Sequence, residues 1–377
     1  MPDELEQGRR WARDWLFEAA LPLWWRAGAD HAQGGFHDKL SQSGEPLDLP
    51  KRIRVQARQI FVFAEAGRLG WDGPWREAVE FGLAFLLAAY RRGDGLFRAS
   101  VDRAGKPVAE DPDLYDQAFV LFALAAAWRA LGRPAALRAE ALGLIDALRR
   151  ERAHPAAGFE EARPRRLPLR SNPHMHMLEA LLAWVELDET EPFSAEARRI
   201  VRLARERFID ADTGAVAEYF DGEWGRAAGE EGAIREPGHQ FEWAYLLDLA
   251  ERLLGGDHAD AIDRLHRFGH AHGVIGGRAI FSVDAAGAPI DSSARLWAQT
   301  ERLRTMLILS GRLRGAAAEE AKRAAAEALT TVRRFLDAPV PGLWRDRCDE
   351  RGRLLDEPAP ASSLYHIVTG LTPLIEG

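Results

Sequence analysis

Cysteine is almost absent: Cys348 is the single one in 377 residues. No disulfide framework can form within the chain, which fits a reducing compartment. Cys348 lies in the charged turn Arg345-Asp346-Arg347-Cys348-Asp349, which reads as structural and not as a nucleophile's setting. A surplus of positive charge is also missing. Lys and Arg number 50 against 58 Asp and Glu, for a net charge of −8, so nucleic acid and anionic membranes are excluded as main partners. The longest apolar run, Phe81 to Tyr90, is too short to span a bilayer. The stretch from Met1 to Gln7 lacks the basic-then-apolar pattern of a secretion signal. A cytoplasmic protein is expected. There is no Walker loop, no strand-linked Gly-x-Gly-x-x-Gly, no His-Glu-x-x-His and no Cys pair.

What the chain has instead is a repeat. Short Gly- and aromatic-rich turns centre on Gly35-Phe36, Leu96-Phe97, Gly158-Phe159, Tyr219-Phe220, Ile280-Phe281 and Leu343-Trp344, about 60 residues apart. A fixed period of this size means one supersecondary unit copied in a row. Between turns, apolar residues recur at helical spacing, as in Phe119, Leu121, Phe122, Leu124 and Trp128. A second helix per unit shows in Trp75–Tyr90, Pro134–Arg150, Ala195–Phe208, Ala259–His272 and Ala316–Leu336. The turn segments alternate and reverse like short hairpins, most clearly Phe97 to Val108 and Phe281 to Ile290. Apolar residues make up 47% of the chain, enough for a large core. The expectation is an all-α fold spanning residues 1–377 as one domain, with about twelve helices in a closed ring of inner and outer layers and hairpins at one mouth. An open solenoid is the alternative, but neither end carries a polar capping unit.

A closed ring would gather the residues 16 to 22 positions after each turn: Arg58, Tyr115-Asp116, His176, His239, Trp297 to Glu301, and His366. Four other histidines crowd an outer segment (His258, His266, His270, His272), and His31, His37 and His154 lie in turns; these read as structural. His174 and His176 are two apart, so only one needs to face the mouth. His176 shares a helical face with Glu179, and His239 shares one with Glu242. A carboxylate beside an imidazole fixes its tautomer and raises its basicity, which suits proton transfer near neutral pH. His366 opens the last inner helix among apolar neighbours. Arg58, a cation on an apolar face, needs a partner: Glu179, Glu242 or Glu301, or a substrate oxygen. Trp297 beside polar groups suits the apolar face of a sugar ring. Were His176, His239, Glu242 and His366 to converge they could also bind a metal, but the weaker metal signal leaves no metal and no cofactor as the expectation.

The segments Asn172-Pro173-His174-Met175-His176-x-Leu178-Glu179-Ala180, Pro237-Gly238-His239-x-x-Glu242-Trp243 and Tyr365-His366 resemble the N-acylglucosamine 2-epimerase superfamily, particularly its aldose–ketose isomerase branch. Gln56-Ala57-Arg58-Gln59 and Trp297 to Glu301 extend the resemblance over the whole chain. It implies an (α/α)6 barrel with metal-independent chemistry. It implies His239 and His366 as the acid/base pair at C1 and C2 of a sugar, and His176 as an aid to ring opening. Arg58 and Asn172 would hold sugar oxygens, Glu242 would orient His239, and Tyr115, Trp297 and Glu301 would line the pocket. The expected reaction is aldose–ketose isomerisation of a free sugar such as D-mannose through a cis-enediol(ate). A 2-epimerase uses the same residues, and a glycoside hydrolase on the same barrel would use two of Asp116, Glu179, Glu242 and Glu301. A non-catalytic sugar-binding protein is a third class. The expected partner is a monosaccharide; the apolar surface leaves room for a homodimer.

Overall fold

The two helices of each unit have unequal faces, and this dictates the layers. The inner helices are Ile53–Arg68, Leu114–Ala130, Ser171–Leu187, Pro237–Leu254, Leu296–Arg312 and Ser363–Glu376. They are apolar nearly all round; in the second, every residue from Asp116 to Trp128 is buried. A helix of that kind must sit inside other helices. The outer helices are residues 2–28, Trp75–Tyr90, Ala135–Arg152, residues 193–208, Ala259–Gly273 and Gly315–Leu336. Each buries one stripe and shows charge to solvent, as in Gly315–Leu336, where Ala321, Ala325, Ala328, Val332 and Phe335 point inward. The helices of residues 2–28 and 193–208 contain wide turns of π geometry. The computed structural model describes residues 2–188 and 191–377. Successive inner helices pack side by side, and the sixth packs against the first. The fold is an (α/α)6 barrel; the open solenoid is ruled out by that last contact.

Backbone hydrogen bonds show how the ring is stitched. The first N–H of an inner helix donates to the carbonyl of the following unit's turn: Ile53 to Ala99 (2.9 Å), Leu114 to Glu161 (3.1 Å), Ser171 to Glu218 (3.1 Å) and Leu296 to Asp346 (2.9 Å). The fourth inner helix starts at Pro237, which has no N–H; Arg235 donates to Val283 instead (2.8 Å). In the sixth unit Ala361 donates to Asp38 (3.0 Å), so the last turn of the ring is bonded to the first. Two- and three-stranded antiparallel ladders extend these contacts at the same end of the barrel, for example Lys39–Leu40 on Ala359–Pro360 and Ala294–Arg295 on Arg347–Cys348.

A second device repeats with the same period. A glutamine at the fourth position of an inner helix clamps both the N–H and the C=O of the preceding turn. Gln56 holds Phe36 (2.7 and 2.8 Å), Gln117 holds Phe97 (2.9 and 2.9 Å), Gln240 holds Val216 (2.7 and 3.1 Å) and Gln299 holds Ala279 (2.8 and 2.8 Å). All are buried, so each clamp satisfies two backbone groups that water cannot reach. In the third unit His174 takes the place, accepting from the Phe159 N–H at 3.1 Å. The clamps correct two turn centres: the fourth is Val216, not Tyr219-Phe220, and the fifth is Ala279, not Ile280-Phe281. Neither has the aromatic that marks the other turns. Gly35, at φ +70°, lets the chain approach; a Cβ there would lie 2.6 Å from the Gln56 amide oxygen. No helix among the described residues is long and apolar enough to cross a membrane.

Candidate active site

The stitching fixes which residues are equivalent around the ring. Counted from the residue that makes the closing bond, or from Pro237 in the fourth unit, the second positions are Arg54, Tyr115, Asn172, Gly238, Trp297 and Ser362. The sixth positions, one turn deeper, are Arg58, Phe119, His176, Glu242, Glu301 and His366. The ninth positions, beneath these, are Phe61, Phe122, Glu179, Tyr245, Arg304 and Thr369. Side chains on one face of a helix recur at three- and four-residue steps, so three stacked layers face the axis at the hairpin end. They border a cavity of about 610 Å³ lined by Arg58, Tyr115, Asn172, His176, His239, Glu242, Trp297 and His366 together with residues of the rim.

Three histidines in this cavity share one arrangement. His176 Nδ1 meets Glu179 at 3.1 Å, His239 Nδ1 meets Glu218 at 2.8 Å and His366 Nδ1 meets Glu301 at 2.8 Å. Each carboxylate sets the tautomer and leaves Nε2 for another partner. The rings are close: His239 and His366 lie 5.0 and 5.8 Å from Trp297, and His176 lies 6.5 Å from His366. Trp297 reaches this place because position 238 is glycine; a Cβ there would meet the indole at 2.5 Å.

The electrostatic settings differ sharply. Burial alone would push His239 down, but Glu218, then Glu236 at 3.8 Å, and Glu242 outweigh it and raise its pKa to about 10. His366 is held well below the ordinary histidine range by burial, with Arg58 and His176 acting in the same direction. His176 is also lowered, chiefly by burial. At neutral pH His239 is an imidazolium and His366 a neutral imidazole. Pairs of groups pushed apart in this way mark acid and base roles.

Below the histidines lies a closed carboxylate cluster. Arg304 Nη2 is bonded to Glu301 and stands 3.8 Å and 3.9 Å from Glu179 and Glu242 through its two terminal nitrogens. Tyr365 donates its hydroxyl to Glu179. Glu242 has neither oxygen hydrogen-bonded; burial and the charges of Glu301 and Glu179 push its pKa well up. Three His–carboxylate clusters bring metal-type ligand atoms within 4.8 Å of one another. In each, one carboxylate is hydrogen-bonded to the imidazole Nδ1.

Several sequence expectations change here. Glu242 does not orient His239; Glu218 does, from the turn that precedes the helix. His239 is not equivalent to His176 and His366: it sits three residues nearer the mouth, and Glu242 occupies their position. Arg58 pairs with none of Glu179, Glu242 and Glu301. It donates to the Tyr115 hydroxyl (2.7 Å) and the Ser362 carbonyl (3.2 Å) and lies 4.1 Å over Phe119. Arg304, absent from the sequence reading, takes the glutamates. Glu301 is fully buried beneath His366 and is not among the lining residues. Asp116 is buried against Arg54 (2.8 Å). Asn172 lines the cavity with its buried Oδ1 unpartnered. Glu218 was findable: Asp38, Glu161, Glu218 and Asp346 occupy the same place in four turns, an acid whose carbonyl also closes the ring. Arg304 had no such signal, and Tyr365 stood out only as the neighbour of His366 in the Tyr365-His366 segment.

Residues 34–370 match the family model described as N-acylglucosamine 2-epimerase (GlcNAc 2-epimerase). The chain belongs to the N-acylglucosamine 2-epimerase family. Within this family it is 42% identical, over 96% of its length and 95% of the relative's, to a mannose-6-phosphate isomerase of Rhizobium meliloti (strain 1021). Among solved structures, this family member superposes on the cellobiose 2-epimerase from Bacillus thermoamylovorans B4167 with a TM-score of 0.88 at 18% identity, covering 98% of both chains. It superposes on a D-mannose isomerase with a TM-score of 0.85 at 18% identity, covering 99% of this chain and 97% of that one. Those two likenesses show the fold. Family and barrel together make this chain a sugar isomerase or 2-epimerase.

Proposed function

We propose that the protein interconverts an aldose of the D-mannose type with its ketose, D-fructose, through a cis-enediol(ate). The observation that carries this is the unequal company of the two histidines on Trp297: His239 between Glu218 and Glu236, His366 held neutral. A proton α to a carbonyl must leave C2. His366 Nε2 is free to take it and return it to C1 on the same face, while Glu301 at Nδ1 stabilises the imidazolium formed in between. His239, already protonated, donates to the oxygens at C1 and C2 as charge moves between them. Epimerisation would need a second base on the opposite face, and the raised pKa of His239 disfavours it in that role. Glu242, Arg58 and Asn172 supply hydrogen bonds to hydroxyls, and Trp297 supplies an apolar wall for the carbon chain. Of the four carboxylates that a glycoside hydrolase would draw on, only Glu242 reaches the cavity, which disfavours that chemistry. The relative's name, a mannose-6-phosphate isomerase, supports a manno-configured substrate.

The test is incubation of EDTA-treated protein with D-mannose in D2O, followed by NMR. Fructose labelled at C1, or unlabelled fructose from internal transfer, is the expected product, and His366→Gln abolishes it. Glucose deuterated at C2 with little fructose would make the protein an epimerase and overturn the one-base assignment.

A further inference from the structure

One sector of the mouth holds more positive charge than the fold needs. Arg295 and Arg347 stand directly opposite each other in the ladder between Ala294–Arg295 and Arg347–Cys348. Like charges facing across an antiparallel pair are destabilising, so this placement asks for a counter-charge. Arg347 has one: its guanidinium is doubly bonded to Glu357. Arg295 has none; among the described residues it makes no ion pair and donates no side-chain hydrogen bond, and its guanidinium lies 4.8 Å over the Phe281 ring. Lys39, on the neighbouring ladder opposite Pro360, likewise makes no ion pair among the described residues. Lys39, Arg295, Arg347 and Glu357 line the same cavity as the histidines. Glu357 is held below the usual carboxylate range by Arg347 first, with Lys39 and Arg295 acting on it too, so all three cations converge on this one acid. Two other acids feel Arg295: Asp346, which accepts from Ser363 at 2.5 Å, and Glu236; burial pushes the pKa of both upward.

The depth suits a substrate held at both ends. Arg295 precedes its inner helix, while the level of His366 lies six residues further in, roughly 9 Å along the axis at 1.5 Å per residue. An extended six-carbon chain whose C1–C2 end lies between His239 and His366 spans a comparable distance. We propose that Lys39, Arg295 and Arg347 form a subsite for a tetrahedral oxyanion, the phosphate monoester at the far end of a hexose. Guanidinium forks match phosphate oxygens in pairs, and a lysine adds a point charge. This rests on the isomerase reading above and adds the class of sugar: a phosphorylated hexose in preference to a free one.

The experiment measures kcat/KM for D-mannose and D-mannose 6-phosphate in the wild type, Arg295→Gln and Lys39→Gln, with inorganic phosphate as an inhibitor. A sugar sulfonate in a parallel arm separates phosphate from other oxyanions. The expected wild-type preference for the ester is at least tenfold in kcat/KM, with inorganic phosphate competing. Each variant lowers the ratio of ester to free sugar by about tenfold and weakens phosphate inhibition. The melting temperature of Arg295→Gln is no lower than wild type, since the substitution relieves the facing arginines. Equal or poorer turnover of the ester, an unchanged ratio in both variants, or a large loss of Tm in Arg295→Gln would overturn the subsite. A sulfonate preferred over the ester would overturn the phosphate assignment. Turnover of D-mannose without any ester preference leaves the isomerase standing and removes only the subsite. No turnover of either sugar removes the isomerase reading first, and failure of phosphate to raise the wild-type Tm then decides against the subsite independently.

Discussion

Replacing Glu218 by Gln isolates the charge that protonates His239. The imidazole rises from an ordinary 6.5 to about 10 against the opposing pull of burial. That shift corresponds to about 5 kcal/mol in favour of the imidazolium at 1.36 kcal/mol per unit. Glu218 is the foremost favourable contributor, ahead of Glu236 and Glu242, and the only one hydrogen-bonded to Nδ1. Glutamine keeps an oxygen for the Nδ1–H and removes the charge. Roughly half of the stabilisation or more should go, bringing His239 down by about 2–3 units toward the ordinary range. Glu218 also accepts from the Glu236 N–H at 3.1 Å through its other oxygen; loss of that bond costs about 1 kcal/mol of stability and does not unfold the barrel. Wild-type turnover should hold its plateau to about pH 9. The variant should fall about tenfold per unit above roughly pH 7, while below it, where His239 is still protonated, kcat should stay near that of the wild type. Initial rates of ketose formation from pH 5.5 to 9.5 and NMR titration of the His239 ring are the assays. A variant with the wild-type pH profile and a kcat within about threefold would refute the assignment of His239 as the acid.

Four further outcomes follow from the same geometry. Arg304→Met leaves Glu301 and Glu179 buried without their cation and should cost about 3–5 kcal/mol in urea unfolding; a change under 1 kcal/mol would mean the cluster is already neutral. Gln117→Leu removes both bonds to the Phe97 backbone and strands a buried N–H and C=O, at about 2–4 kcal/mol, with little effect on KM if the turn stays in place. Gly238→Ala pushes on the Trp297 indole and should raise KM at least fivefold with a smaller change in Tm; a wild-type KM would show that Trp297 does not meet the sugar. Because the His239 pKa is raised on folding, its stabilising contribution is complete below about pH 6.5 and is lost as pH rises toward 10. Melting curves of wild type and His239→Gln should therefore differ most in acid and converge in alkali.

The legible parts of the site were those written as local patterns. His176 with Glu179, three apart on one helix, could be paired from spacing and are bonded in the fold. The same rule applied to His239 and Glu242 failed. At the start of a helix the preceding turn is as close as the next helical turn, and Glu218 comes from that turn, 21 residues away in sequence. The third and sixth positions of a helix also point to different depths, so His239 and His366 do not stand at equal height although both follow a turn. Arg304 reads in sequence as one more arginine among many; only the ring brings Glu179, Glu242 and Glu301 round it from three helices.

By itself the sequence determined the period, the two-layer helix pattern and the turns marked by an aromatic residue, because each depends on residues within a few positions of one another. It also determined the exclusions: too little cysteine for a framework, too few apolar residues in a row for a membrane span and no surplus of cations for nucleic acid. The tertiary structure decided everything that depends on closure. It set the bond from Ala361 to Asp38 that makes the row a ring, the height of each side chain above the floor, and the separate fates of two histidines that look alike in sequence. Protonation is a property of distance to charge and of exclusion from water. Both are fixed only when six units, far apart along the chain, meet around one axis.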